Sequence, residues 1–228
     1  MLLVLGGSLW AKDNDKAKAE VERLKTAAEV LSEIMGTPEE GIPSELLARA
    51  ECVVVVPGLK KGAIGIGGRF GRGAVSCRRG ADRAGAWGSP SMLTVAGGSF
   101  GLQLGGSSTD VVMLVMNKKG VDHLLKSKFT LGGDASAAAG PKGRSAAAAT
   151  DATMRAEILT YSRSRGLFAG VSLDGASVRP DKDANERLYG QRVEAKALLI
   201  DGKLGIPDAA RPFTAALTKY APKNVSAK

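Results

Sequence analysis

Aromatic side chains make up only 4% of this 228-residue chain, and histidine occurs once. The first scarcity argues against a nucleic-acid groove, where bases stack on aromatics interleaved with lysine and arginine. The second removes the usual general base and metal ligand, because His123 has no companion at ligand spacing. Cysteine is limited to Cys52 and Cys77, with no CxxC, so the patterns of structural zinc and dithiol redox chemistry are missing. Both lie in predicted strands, where buried thiols are the first expectation and a disulfide between neighbouring strands the alternative. No apolar run approaches the roughly 20 residues of a membrane-spanning helix. No proline-, glycine- or serine-rich linker divides the chain, and a 44% hydrophobic composition suffices for one substantial core. No Ser/His/Asp, Cys/His or paired-carboxylate constellation emerges either. Asp134, Asp174 and Asp181 sit on separate turns, where carboxylates cap or solubilise. A non-enzymatic protein without cofactor or metal is expected.

Glycine, in contrast, is abundant. Residues 62–75 read GAIGIGGRFGRGAV, with six glycines. A dinucleotide fingerprint fails there because its third glycine slot falls on Phe70, and a phosphate loop fails because Lys60 and Lys61 precede the glycines. The alternation of Ile64, Ile66 and Phe70 on one phase, then Val75 and Cys77 on the other, predicts a strand, a turn or bulge near residues 71–73, and a second strand. These glycines are expected to allow close backbone approach. The same texture elsewhere suggests many short strands in a tight sheet or barrel, with helices added.

Charge is uneven. The chain carries a formal +9, and between Lys60 and Arg83 seven bases face one acid, Asp82. Such a patch either keeps a solvated face or meets an anionic partner, whether phospholipid, nucleic acid or an acidic protein. Lys60, Lys61, Arg69, Arg72 and Arg78 are all expected to point to water, with Arg79 on the apolar phase.

The N-terminus, MLLVLGGSLWAKDND, has an apolar run suited to the core of a secretory signal, although it lacks a basic start and Leu9 is not a small residue. It predicts a truncated signal peptide over 1–11, a mature chain over 12–228, and export to a periplasmic or extracellular location. From Ala17 the apolar positions Ala17, Val21, Leu24, Ala28, Leu31 and Met35 mark an amphipathic helix stopped by Gly36. ECVVVVPG predicts a buried strand ended by Pro57, and DVVMLVMN another. SMLTVAGGSFGLQLGG predicts a strand with Phe100, Leu102 and Leu104 on one face. A short helix follows at Val121–Leu125, with His123 on its polar side. KFTLGGDASAAAG reads as a small-residue strand. ILTYSRSRGLFAGVSL reads as a hairpin. DKDANERLYG reads as a helix stopped by Gly190, and two helical pieces end the chain, the last with a possible kink at Pro212.

Taken together, VVVVPGLKKGAIGIGGRFGRGAV, GSFGLQLGGSSTDVVMLVMN, LGGDASAAAGPKGR and ILTYSRSRGLFAGVSLDGASVRPD with NERLYG resemble the SYLF, or Ysc84-like actin-binding, domain in order and spacing. The resemblance covers nearly all of the chain after the first helix begins. It implies an α+β fold, a compact and mostly antiparallel sheet or barrel-like domain flanked by N- and C-terminal helices. It also implies binding to anionic lipids, phosphoinositides in eukaryotic members, and to actin filaments in some fungal ones, without enzymatic activity. Eukaryotic members often add an SH3 or FYVE domain, for which this sequence has no room.

The leading expectation is therefore a lipid-binding module on anionic phospholipid membranes. Each lysine or arginine near such a surface contributes about 1 kcal/mol, so four of them give roughly millimolar binding. Its candidate residues are Lys60, Lys61, Arg69, Arg72 and Arg78, joined by Tyr161, Arg163 and Arg165 of the signature hairpin. The alternative for that hairpin is that the tyrosine packs and the arginines bracket a turn. The alternative function is a protein-binding or envelope-structural module with an acidic partner; nucleic acid is disfavoured.

Overall fold

A computed structural model describes residues 7–36, 41–64, 66–80, 83–100, 105–141, 155–164 and 167–222. Its centre is four long strands: β1 (Cys52–Ile64), β2 (Ile66–Cys77), β3 (Ser91–Phe100) and β4 (Gly105–Val115). Five shorter strands extend them: β5 (Phe129–Thr130), β6 (Ala137–Ala139), β7 (Ile158–Ser164), β8 (Leu167–Gly170) and β9 (Ser177–Pro180). The sheet runs β5-β9-β3-β2-β1-β4-β7-β6, with β8 on β7, and among these described strands only β6 and β7 pair in parallel. The expected α+β architecture, mostly antiparallel and flanked by helices at both ends, is what forms.

Both faces of the central strands are buried, so apolar residues alternate between two cores. Val53, Val55, Ala74, Met92, Val112 and Leu114 join helices α1 (Gly7–Met35) and α2 (Ser44–Arg49) on one side. On the other, Val54, Val75, Leu93 and Met113 meet α3 (Lys118–Leu124) and α5 (Ala195–Leu199). Helix α4 (Lys182–Tyr189) is capped by Asp181, whose carboxylate accepts the Ala184 N–H at 3.1 Å, and ends at Gly190 with φ +69°. Both devices follow the sequence pattern. Helix α6 (Arg211–Tyr220) packs Phe213 and Leu217 beside α1, and Pro212 starts it rather than kinking it, since proline lacks only an N–H that is unpaired there anyway.

Several expectations change. β1 does not stop at Pro57: the strand passes through it with a register shift, because the proline sits at a bulge that needs no ladder N–H. Gly58 follows with φ +58°, and its N–H donates to Asp110 Oδ1 at 2.9 Å. β2 in turn runs unbroken through residues 71–73. The supposed change of phase is ordinary alternation in a strand covered on both faces at its far end. The small-residue stretch 128–140 yields two short strands, not one. Leu102 and Leu104 lie outside the described residues. Cys52 and Cys77 stand directly opposite each other on β1 and β2 and form a disulfide, so the buried-thiol expectation gives way to its alternative.

Candidate functional site

The four central strands continue beyond the helices, where their sequence turns to glycine and base. Cross-strand partners share a face of the sheet, so the register sorts the side chains. Gly98, Gly68, Gly62 and Gly106 form one transverse row across β3, β2, β1 and β4. The next row is Gly97, Arg69, Lys61 and Ser107, pointing to the opposite face. The third is Ala96, Phe70, Lys60 and Ser108, back on the face of the glycine row. Arg72 follows on that same face, as Ala74 does in the α1-side core.

Lys60, Phe70 and Arg72 thus share one surface. Phe70 is 46% exposed, and the Arg72 guanidinium lies 5.9 Å from its ring centroid and 3.9 Å from Asp181. Lys61 and Arg69 occupy the other surface, where Arg69 Nη2 reaches the Asp174 carbonyl at 3.5 Å. Neither Lys60 nor Lys61 has an ion-pair partner among the described residues. The predicted single patch is therefore two small basic faces on either side of one sheet end. Among the described residues, the paired backbones on both sides of β1 and β2 also leave no array of free N–H groups to cradle phosphate.

The remaining candidates are taken up by the fold. Arg78 is fully buried rather than turned to water: it stacks over Trp87 at 4.2 Å, and its Nη2 and Nε donate to the carbonyls of Ala221 at 2.8 Å and Ala50 at 3.3 Å. Burial pushes its pKa down to about 10. Parity alone placed it wrongly, because at this end of the sheet both faces are covered. Tyr161 is likewise fully buried, stacked on Phe168 with ring centroids 5.3 Å apart, and burial raises its pKa. Arg163 lies in β7 between two acids. Its Nη2 donates to Asp110 Oδ2 at 3.0 Å, and it also pairs with Glu33 of α1. Arg165 is outside the described residues. So the packing alternative holds for Tyr161, and Arg163 serves an internal ion network. Sequence reading missed Asp110 and Glu33 as its partners; an acid opening the apolar run DVVMLV was the available signal.

Comparison with known proteins then decides the family. Residues 96–220 match the model of Ysc84, described as Las17-binding protein actin regulator. The chain belongs to the Ysc84 family. Protein YSC84 of Saccharomyces cerevisiae is 34% identical over 83% of this chain and 41% of its own length. LAS seventeen-binding protein 3 of the same yeast is 33% identical over 88% of this chain and 45% of its own. SH3 domain-containing YSC84-like protein 1 of Bos taurus is 30% identical over 91% and 59%. The chain thus spans roughly half the length of these relatives. The Ysc84 family is described by Las17 binding and actin regulation, not by a catalysed reaction. Membership also overturns the expected export, because the family is described as an actin regulator, and actin filaments lie inside the cell.

Proposed function

We propose that this chain is a protein-binding module of the actin-regulatory kind, meeting an acidic partner surface with the basic, glycine-rich end of its sheet. The observation that carries the reading is the gathering of Lys60, Lys61, Arg69 and Arg72 on the part of the sheet that extends past the helices. Actin filaments are such an acidic surface, and the family description supports them as the partner. A flat, nearly bare sheet end allows close approach of a protein surface, while exposed lysines supply attraction that salt weakens.

A second reading is an anionic phospholipid surface. Its support is Phe70, an exposed aromatic between Lys60 and Arg72 on one face, which could enter the headgroup layer while the cations pair with phosphates.

Cosedimentation separates them. Wild type and a Lys60→Gln/Lys61→Gln/Arg72→Gln variant are each spun with actin filaments, with phosphatidylserine-containing vesicles and with neutral vesicles. Filament binding that the variant loses supports the first reading. Binding to charged vesicles alone, lost in the variant and in Phe70→Ser, supports the second. Equal binding by wild type and variant to both partners rejects this end of the sheet as the site.

A further inference from the structure

Among the described residues, part of β4 has no strand on its outer side. β4 pairs with β1 from Gly105 onward, but β7 joins its other side only from Asp110 to Val115. From Gly105 to Thr109, therefore, the outer side of β4 has no strand against it among the described residues. Gly106, Ser107 and Ser108 are exposed. Five residues of strand offer an edge about 17 Å long. Natural sheets usually blunt such edges with charge, proline, short strands or a covering loop. The terminal strands β5 and β6 are blunted in this way, with two and three residues. On the opposite side of the four long strands, β9 joins β3 only from Leu93 to Ala96, while at Gly97 the face of the sheet is covered by Ala176, whose Cα would lie 3.0 Å from an added Cβ. Among the described residues the Gly105–Thr109 edge, GGSST, has no charge, proline or neighbouring strand to blunt it.

Its chemistry selects an occupant. The inner neighbours of Ser107 and Ser108 are Lys61 and Lys60, which point to opposite faces. A strand added outside β4 would lie about 10 Å from β1, two strand spacings away. Because serine is short, each lysine can lean across β4 to reach a carboxylate on that strand. One lysine serves each face, so the acids must be adjacent in sequence. A second copy of the same edge brings no carboxylate, since Gly105–Thr109 contains none and Asp110 is held by Arg163.

We propose that the outer edge of β4 from Gly105 to Thr109 accepts an extended segment of a protein partner as an added strand, recognised by two adjacent acidic residues that pair with Lys60 and Lys61. This rests on the protein-partner reading above and specifies its mode. Main-chain bonds supply affinity and the lysine pair supplies selectivity.

The test uses the full chain and a labelled, end-blocked probe peptide, Thr-Val-Thr-Glu-Glu-Thr-Val-Thr, measured by fluorescence anisotropy and amide hydrogen exchange. Two further probes carry N-methyl groups on alternate amides, one in each phase, so that only one of them turns its methyls toward β4. Saturable binding is expected, with slowed exchange confined to Gly105–Thr109. One methylated phase should bind about tenfold more weakly, the effect of losing two hydrogen bonds of modest net strength, while the other binds like the parent. Separating the glutamates by one residue, or introducing Lys60→Gln/Lys61→Gln, should weaken binding by a similar factor. Equal behaviour of the two methylated phases overturns strand addition, yet leaves the basic surface intact if the lysine variant still loses affinity. Failure of every acidic peptide to bind overturns this inference, while the protein-partner reading stands or falls with filament cosedimentation of the Lys60→Gln/Lys61→Gln/Arg72→Gln variant.

Discussion

Arg163 of β7 and Asp110 of β4 sit side by side in adjacent strands, and the Arg163 Nη2 and Nε lie 3.0 Å and 3.3 Å from Asp110 Oδ2. The other Asp110 oxygen accepts the Gly58 N–H at 2.9 Å, while Arg163 also pairs with Glu33. One aspartate thus ties the bulge of β1, strand β7 and, through the arginine, helix α1. Asp110→Asn keeps the shape but weakens both bonds. A loss of about 1–2 kcal/mol is expected, since the arginine is partly solvated and its charge partly screened. Urea unfolding measures it. A variant as stable as wild type would mean that the network adds nothing to the fold.

The glycines of residues 62–73 fall into two groups with opposite consequences. A Cβ at Gly71 would lie 2.7 Å from Leu59 Cδ1 and 2.7 Å from Val56 Cγ1, and one at Gly73 would run into the Val55 carbonyl. At Gly62 and Gly98 a Cβ would meet nothing within 4 Å. Gly73→Ala should therefore cost about 1–3 kcal/mol, the range of an overpacked core. Gly62→Ala should leave stability unchanged or raise it by up to about 1 kcal/mol, because alanine loses less backbone freedom in a strand. Melting temperatures of the two variants decide, and equal damage would contradict this division.

Much of this was legible from residue order. The apolar run of β1, the helix-capping pair Asp181 and Gly190, and the amphipathic stripe of α1 each depend on neighbours close in sequence. What escaped depends on distant ones. Pro57 looks like a strand end until Asp110, 53 positions later in the chain, supplies an acceptor for the bulge. Arg78 looks exposed until Ala221 arrives to take its hydrogen bond. The split of the basic patch onto two faces follows from register, with β1 ending at Ile64 and β2 beginning at Ile66 instead of breaking near residue 72.

Alkaline titration should expose two of the buried phenols. Burial raises the pKa of Tyr161, and likewise of Tyr189, whose hydroxyl donates to the Pro90 carbonyl at 2.5 Å. Both groups stay protonated in the fold after free tyrosine, at 10.0, has ionised. Above that pH the unfolded chain releases protons that the folded one keeps, so this contribution to stability falls as pH rises. The phenolate absorbance of folded protein should rise less than that of urea-unfolded protein between about pH 10 and 11. Superimposable curves would mean that these tyrosines reach solvent.

Arg78 offers the sharpest contrast with the surface bases. Its guanidinium is fully buried, rests on the Trp87 ring and donates to the Ala50 carbonyl, while its bond to the Ala221 carbonyl is shared with Trp87 Nε1 at 2.9 Å. That carbonyl follows the end of α6, so the arginine fastens the C-terminal helix to the end of β2. Arg78→Gln retains some hydrogen bonding but loses the charge-assisted bonds and the stacking. A cost of about 2–4 kcal/mol is expected, with a shift in Trp87 fluorescence before global unfolding. Lys60→Gln and Lys61→Gln, on exposed strand ends, should each stay within about 0.5 kcal/mol of wild type. The pairing of results matters for any binding study, because a charge-removal variant that included Arg78 would lose ligand by losing α6. If Arg78→Gln instead keeps wild-type stability and fluorescence but loses a bound anionic partner, this arginine belongs to the binding surface and its buried placement is wrong.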